Sequence, residues 1–170
     1  MMPHKSKILI YELNEVPRRL YDLYIKKYPN SAFSFFKQSG LVLNTLTKDD
    51  GELHPWSTWP TIHRGVYNSK HNIRFINQDL KSAEQFKPIW EILSNENIDV
   101  GIFGSLQSYP PIRNKNVKFY LPDTFSPDAA AIPQDLSIYQ SFNLSMVNKN
   151  KAISRSITNS QLKLFFQLMK

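Results

Sequence analysis

The sequence predicts an α/β fold with a mostly parallel sheet, and three observations predict it. Short apolar runs that read as buried strands alternate with stretches of helical periodicity, in the order β-α-α-β-α-β-β-α. Two of the strand-like runs, Lys7 to Asn14 and Ile98 to Gly104, are apolar almost throughout, the pattern of strands covered on both faces, while Leu41 to Thr47 alternates. The chain of 170 residues, 41% hydrophobic and only 21% charged, has enough apolar side chain for a buried core and is unlike a disordered chain.

The elements follow in order. Lys7 to Asn14 is an apolar run that predicts a first buried strand. Val16-Pro17 opens a helix, because a first-turn proline lacks only an N–H that would go unpaired there. Leu20, Leu23, Tyr24 and Tyr28 continue it at spacings of three and four until Pro29-Asn30 breaks it. Ser31 predicts an N-cap for a second helix through Phe33, Phe35 and Phe36, closed by Gly40. Leu41 to Thr47 predicts a second strand, and Lys48 to Pro55 a polar loop holding Asp49-Asp50-Gly51. A dense segment from Pro55 to Val66 and a turn from Tyr67 to Ile73 come next. Phe86 to Asn95 reads as a helix, Ile98 to Gly104 and Val117 to Leu121 as strands, and Gln134 to Val147 as a helix. Residues 149–170 form a basic amphipathic helix or tail, set apart from an α/β domain over residues 1–148.

Charge and composition exclude several functions. No cysteine is present, so disulfides, thiolate chemistry and cysteine-zinc sites are excluded. No apolar run approaches the roughly 18 residues of a membrane span, and the N-terminus does not read as a signal peptide; a cytoplasmic location is expected. The net charge of +7 is concentrated at the C-terminal end: residues 1–135 hold 16 basic and 14 acidic groups, and no acidic residue follows Asp135. Such a stretch can contact an acidic partner, although no motif of specific nucleic-acid binding accompanies it. The five glycines form neither a P-loop nor a dinucleotide fingerprint, and Gly-x-Ser-x-Gly is absent.

In a parallel sheet, chemistry sits at the carboxyl ends of strands. Two places are thereby singled out, Glu12 to Glu15 and Gly104 to Ser108. Glu12, Asn14 and Glu15 offer two carboxylates and an amide, oxygen donors suited to a hard cation; turn chemistry and a helix N-terminus that favours Glu15 explain them equally. Ser57 and Thr58, between two tryptophans, read either as helix caps or as a nucleophile whose target anion the helix N-terminus would hold. His54, His63 and His71 fit no metal-ligand spacing and read better as hydrogen-bonded structural histidines.

The order of these features resembles the N-terminal half of the alkaline phosphatase-like superfamily, nearest to its phosphodiesterase, nucleotide pyrophosphatase and sulfatase members. The pieces that carry the resemblance are residues 29–40, Pro29-Asn30-Ser31 through Gly40, and residues 59–73, Trp59-Pro60-Thr61 through His71-Asn72-Ile73, within a span of roughly residues 7–80. The resemblance implies a three-layer αβα sandwich. It also implies hydrolysis or transfer of a phosphate or sulfate ester of a small molecule, glycan or nucleotide, with divalent metal ions, usually zinc. By the same resemblance Thr58 or Ser57 is the nucleophile, and Glu12, Asn14 and Glu15 lie on the metal side. The chain departs from the pattern at several points. Asn14 stands where the family has an aspartate, Pro55 where it has its hydroxyl, Arg64-Gly65 for its Thr-Gly and His71-Asn72 for its His-Gly. The family's later ligands are Asp-His and His pairs, and no histidine follows His71. The expectation is either a truncated fragment or a non-catalytic relative, inactive as these 170 residues. Its incomplete sheet would leave edges and apolar faces open to self-association.

Overall fold

The structure is a computed structural model that describes residues 7–76, 78–147 and 158–168. It is a mixed α/β chain with a two-stranded parallel sheet, divided into two compact units at Leu46/Thr47. Among the described residues no helix is long and apolar enough to cross a membrane.

Among the described residues the first unit holds two helices. α1 (Arg18–Lys27) starts behind Pro17, which takes the N-cap position, and ends on Lys26 and Lys27, whose charge suits a helix C-terminus. α2 (Ala32–Ser39) begins as its sequence predicts. The Ser34 N–H donates to Ser31 Oγ at 3.3 Å, and Gly40 follows the last turn. Asp22 joins the two helices, accepting from Arg18 at 2.9 Å and from Lys37 at 2.9 Å. Lys37 first and Arg18 second hold its carboxyl below the usual range. Tyr21 and Tyr24 each set an edge against the Phe33 ring at 5.7 Å.

The strands expected over residues 7–14 and 41–47 are not formed. Both segments lack strand structure, and their apolar side chains stand in solvent, Leu9 at 87% and Leu46 at 97% exposure. The physical reason is the absence of a partner: an extended segment becomes a strand only when neighbouring backbone takes its N–H and C=O groups, and no described segment pairs with these two.

The second unit carries the core. α3 (Pro55–Arg64) has proline at its first helical position and ends on Gly65, whose φ of 65° is the left-handed conformation that glycine adopts without steric cost. α4 (Asn68–His71) is a single turn closed by Asn72, also left-handed. A 3₁₀ turn (Leu80–Ala83) leads to α5 (Ile89–Asn95), β1 (Val100–Phe103) and β2 (Val117–Leu121). β1 and β2 pair in parallel, with Gly101 opposite Phe119 and Ile102 opposite Tyr120. The Phe119 ring occupies the space a Cβ at Gly101 would need, so a larger residue there would displace that ring. Trp90, Ile102, Val117 and Tyr120 form the buried cluster, with Val100, Ile112 and Ile132 packed against it. Ile132 also covers the outer side of β2 through two backbone bonds with Tyr120, at 2.6 and 2.9 Å. α6 (Ser137–Met146) and α7 (Asn159–Leu168) pack together, with Phe142 facing Phe165 at 6.5 Å. Of the basic stretch expected over 149–170, only residues 158–168 are described, and they are largely this helix.

Candidate functional site

The first turn of α3 carries both hydroxyls singled out by the sequence. His54 occupies the N-cap position and caps nothing with its side chain; its ring lies against Glu52, Nε2 to Oε2 at 3.1 Å. The His54 carbonyl instead gathers the turn. It accepts from the Ser57 and Thr58 N–H groups at 3.0 Å each, from Ser57 Oγ at 3.2 Å and from Thr58 Oγ1 at 3.1 Å. This corrects the capping reading, because each hydroxyl folds back on a carbonyl inside the helix rather than taking an orphan N–H. Pro55 brings no N–H and that of Ser57 is spent on His54. Of the first three helical positions, only Trp56 keeps an amide N–H off that carbonyl. Ser57 is 1% exposed, whereas Thr58 is only partly buried, so Thr58 is the more accessible hydroxyl.

One turn further on, a partly buried network ties α3 to α4 and to the loop before it. Thr61 Oγ1 lies 2.9 and 2.7 Å from the two Asp49 carboxylate oxygens and 2.9 Å from His71 Nε2. The Ile73 N–H donates to His71 Nδ1 at 3.0 Å, so Nδ1 is the bare nitrogen and Nε2 carries the proton. The chain of donation therefore runs from His71 Nε2–H to the Thr61 hydroxyl, and from that hydroxyl to Asp49. Asp49 also accepts the Asn68 N–H at 2.8 Å. The Asn68 side chain bonds both backbone groups of Asp50, at 3.1 and 2.9 Å. His71 is fully buried and its pKa is lowered to about 4. Burial is the main cause; Asp49 opposes it, while Arg64 and Arg74 add to it. The imidazole is thus neutral at pH 7, a structural hydrogen-bonded histidine as its spacing suggested. Asp49 and Thr61 were not singled out beforehand. Asp49-Asp50-Gly51 looked like ordinary turn chemistry, and nothing local to residue 61 marks its hydroxyl.

The second tryptophan and His63 pack the opposite side of α3. His63 stacks on Trp59 at 6.0 Å and meets Trp90 edge-on at 4.9 Å, and Trp56 meets Phe125 at 6.2 Å. These rings hold α3 along α5 and the loop after β2.

Glu12, Asn14 and Glu15 stand in the first unit, on a turn in which Glu15 is left-handed with φ 54°. Glu12 is partly buried, and Asn14 and Glu15 are exposed. Among the described residues no three His, Asp or Glu side chains come together to hold a metal ion. Two carboxylates and an amide do not fit a two-zinc site.

At the end of β1, Ser108 is buried, and the loop is pinned from β2. The Asp123 carboxylate accepts the Phe125 N–H at 2.8 Å and the Ser108 N–H at 3.4 Å, and the Tyr120 hydroxyl donates to the Ser108 carbonyl at 2.5 Å. Burial raises the Asp123 pKa against these bonds, and pushes that of the Tyr120 hydroxyl well above its usual range.

No family model matches the chain. No curated protein and no solved structure matches it either.

Proposed function

We propose that this chain carries the N-terminal elements of a phosphoester or sulfoester hydrolase or transferase of the alkaline phosphatase-like kind, and that these 170 residues do not sustain turnover. The observation that carries the reading is the first turn of α3. There the partly buried Thr58 hydroxyl stands at the positive end of a ten-residue helix, with the Trp56 N–H off the His54 carbonyl that gathers the rest of the turn. Thr58 is the nucleophile in this reading and Ser57, packed inside, supports its turn. The fold this reading expects is a three-layer αβα sandwich, with which the parallel pair β1–β2 and its flanking helix are compatible. The substrate is a small-molecule, glycan or nucleotide ester. The resemblance implies a divalent ion, usually zinc, with Glu12, Asn14 and Glu15 on its side; these residues do not fit that group, and the reading takes no step through it.

Inorganic phosphate and sulfate, titrated with and without zinc and followed by ¹H–¹⁵N NMR, test the reading. The expected result is movement of the Trp56, Ser57 and Thr58 amide signals, with no sustained release of nitrophenol from bis-p-nitrophenyl phosphate. Anions that leave those three signals unmoved overturn it.

A second reading is a non-catalytic module that contacts an acidic partner. It is favoured by the acid-free stretch after Asp135 and the exposed Lys163 on α7. Binding to a polyanion such as heparin that weakens steeply with salt supports it, and salt-insensitive behaviour removes it.

A further inference from the structure

The α1 helix has two faces, and α2 covers one of them. Tyr21, Asp22 and Ile25 are partly buried. The Tyr21 hydroxyl donates to the Phe33 carbonyl at 3.1 Å, and Asp22 holds Lys37 of α2. Arg19, Leu20, Leu23, Lys26 and Lys27 are all exposed, at the spacing i, i+1, i+4, i+7 and i+8 of one continuous helix face. Leu23 lies at the middle of this face, with Arg19 and Lys26 on one side of it and Lys27 and Leu20 on the other. The two leucines keep 49% and 53% of their surface in water.

The charge on this face is uncompensated. Residues 18–39 hold five basic residues and one acidic, which is over half of the chain's net charge of +7. The acid, Asp22, is taken by Arg18 and Lys37, the two bases outside the exposed face. No carboxylate among the described residues pairs with Arg19, Lys26 or Lys27; Lys27 rests over the Tyr28 ring at 5.4 Å. Next to α1, α2 exposes the adjacent Phe35 and Phe36 rings.

These features narrow the partner. A leucine flanked by long cationic side chains suits a surface that is apolar below and anionic at its rim, because the lysine and arginine stems can lie along the apolar layer while their charges reach the rim. An anionic bilayer has that layering. A nucleic acid offers the negative charge and no apolar layer for Leu20 and Leu23. The backbone of α1 is paired within the helix, so the helix can rest at the lipid boundary with no peptide group left bare. Its ten residues, about 15 Å, lie along a bilayer rather than cross it.

We propose that the exposed face of α1 docks on an anionic lipid surface, with Leu20 and Leu23 at the acyl boundary and Arg19, Lys26 and Lys27 on the headgroups. The proposal rests neither on the phosphoester reading nor on the basic stretch after Asp135.

The test is co-sedimentation of the full chain with phosphatidylcholine vesicles, with and without phosphatidylserine. Binding is expected with phosphatidylserine, at least tenfold weaker without it, and weaker as salt rises. Lys26→Gln with Lys27→Gln should weaken it at least tenfold, at about fivefold per charge. Leu20→Gln with Leu23→Gln, which leaves every charge in place, should weaken it about tenfold. Arg113→Gln with Lys115→Gln removes the same charge from exposed positions of the second unit and should change it less than about twofold. All substituted positions are exposed, and helix content by circular dichroism should hold. Equal binding to both vesicles, no binding, or binding that the lysine or the leucine pair leaves unchanged overturns the proposal. Polyuridylate bound where vesicles are not assigns the charge to nucleic acid and overturns it too.

Discussion

The two units of this chain contrast in how their apolar residues are used. In the unit ending at Leu46, Ser34 is the one buried residue among those described, and Ile8, Leu9, Leu41 and Leu46 are mostly in water. In the unit from Thr47, a tryptophan, a tyrosine and two aliphatic residues close into a core, and the polar side chains of Asn68 and His71 are buried with partners, the partly buried Asp49 among them. Both units have well-terminated helices. What separates them is a paired sheet: β1 and β2 give α5 a surface to cover, whereas the two extended segments of the first unit have none. Helix signals act over a few residues, while a strand exists only through a neighbour.

The largest effect expected is on the core. Trp90→Ala should cost about 3–5 kcal/mol in urea unfolding, whereas Phe36→Ala, at an exposed position of α2, should cost under about 0.5 kcal/mol. Equal costs would erase the contrast between the units.

Next is the pH dependence carried by His71. Its folded pKa, about 4, lies below the ordinary imidazole value of 6.5. The unfolded chain therefore binds the proton first, and stability is fully present above pH 6.5 and declines as pH falls toward 4. The loss is at most about 3 kcal/mol, and His71→Gln should flatten the profile at a lower plateau. A profile that is level from pH 7 to 4 in the unaltered chain would show that the imidazole is not held neutral.

Asp49→Ala should cost about 1–3 kcal/mol, because the Thr61 hydroxyl and the Asn68 N–H lose their acceptor together. Combined with Thr61→Val the two costs should not add, which a double-mutant cycle reads directly. In the first unit, Ser31→Ala should cost about 1 kcal/mol of α2 stability, seen as faster amide exchange at Ser34. Smallest in stability, though not in behaviour, is the pair Leu9→Lys and Leu43→Lys. Unfolding should move by less than about 0.5 kcal/mol, while concentration-dependent association in sedimentation falls. Sedimentation unchanged by both would mean that these segments do not drive association.

How much was legible in the sequence follows from the same contrast. Ser31, Gly40 and Gly65 announce their helix ends because capping and left-handed closure are local requirements. The runs before Gly104 and over Val117 to Leu121 did become strands, because each had the other to pair with. The equally apolar Lys7–Asn14 and Leu41–Thr47 did not, and nothing within them distinguishes the two outcomes. At the candidate site, Ser57 and Thr58 were found by residue type. Their retreat onto the His54 carbonyl depends on Pro55, which begins the helix there. Asp49 gains its role only because α3 and α4 bring Thr61 and Asn68 to it, residues 12 and 19 positions away. The orphan hydroxyl of Ser108 is likewise a product of tertiary packing, although the strand end that precedes it was marked as a place for chemistry.

The aromatic ring of Phe119 seated over Gly101 links two positions that are 18 apart in the chain. A randomised library at residue 101, screened for folding in the unaltered background, should return mostly glycine. Repeated with a small residue at 119, it should admit alanine and serine, because the occupied volume has been vacated. The two positions would then vary together across any set of surviving sequences, giving the sheet register a signature that can be recovered by selection alone.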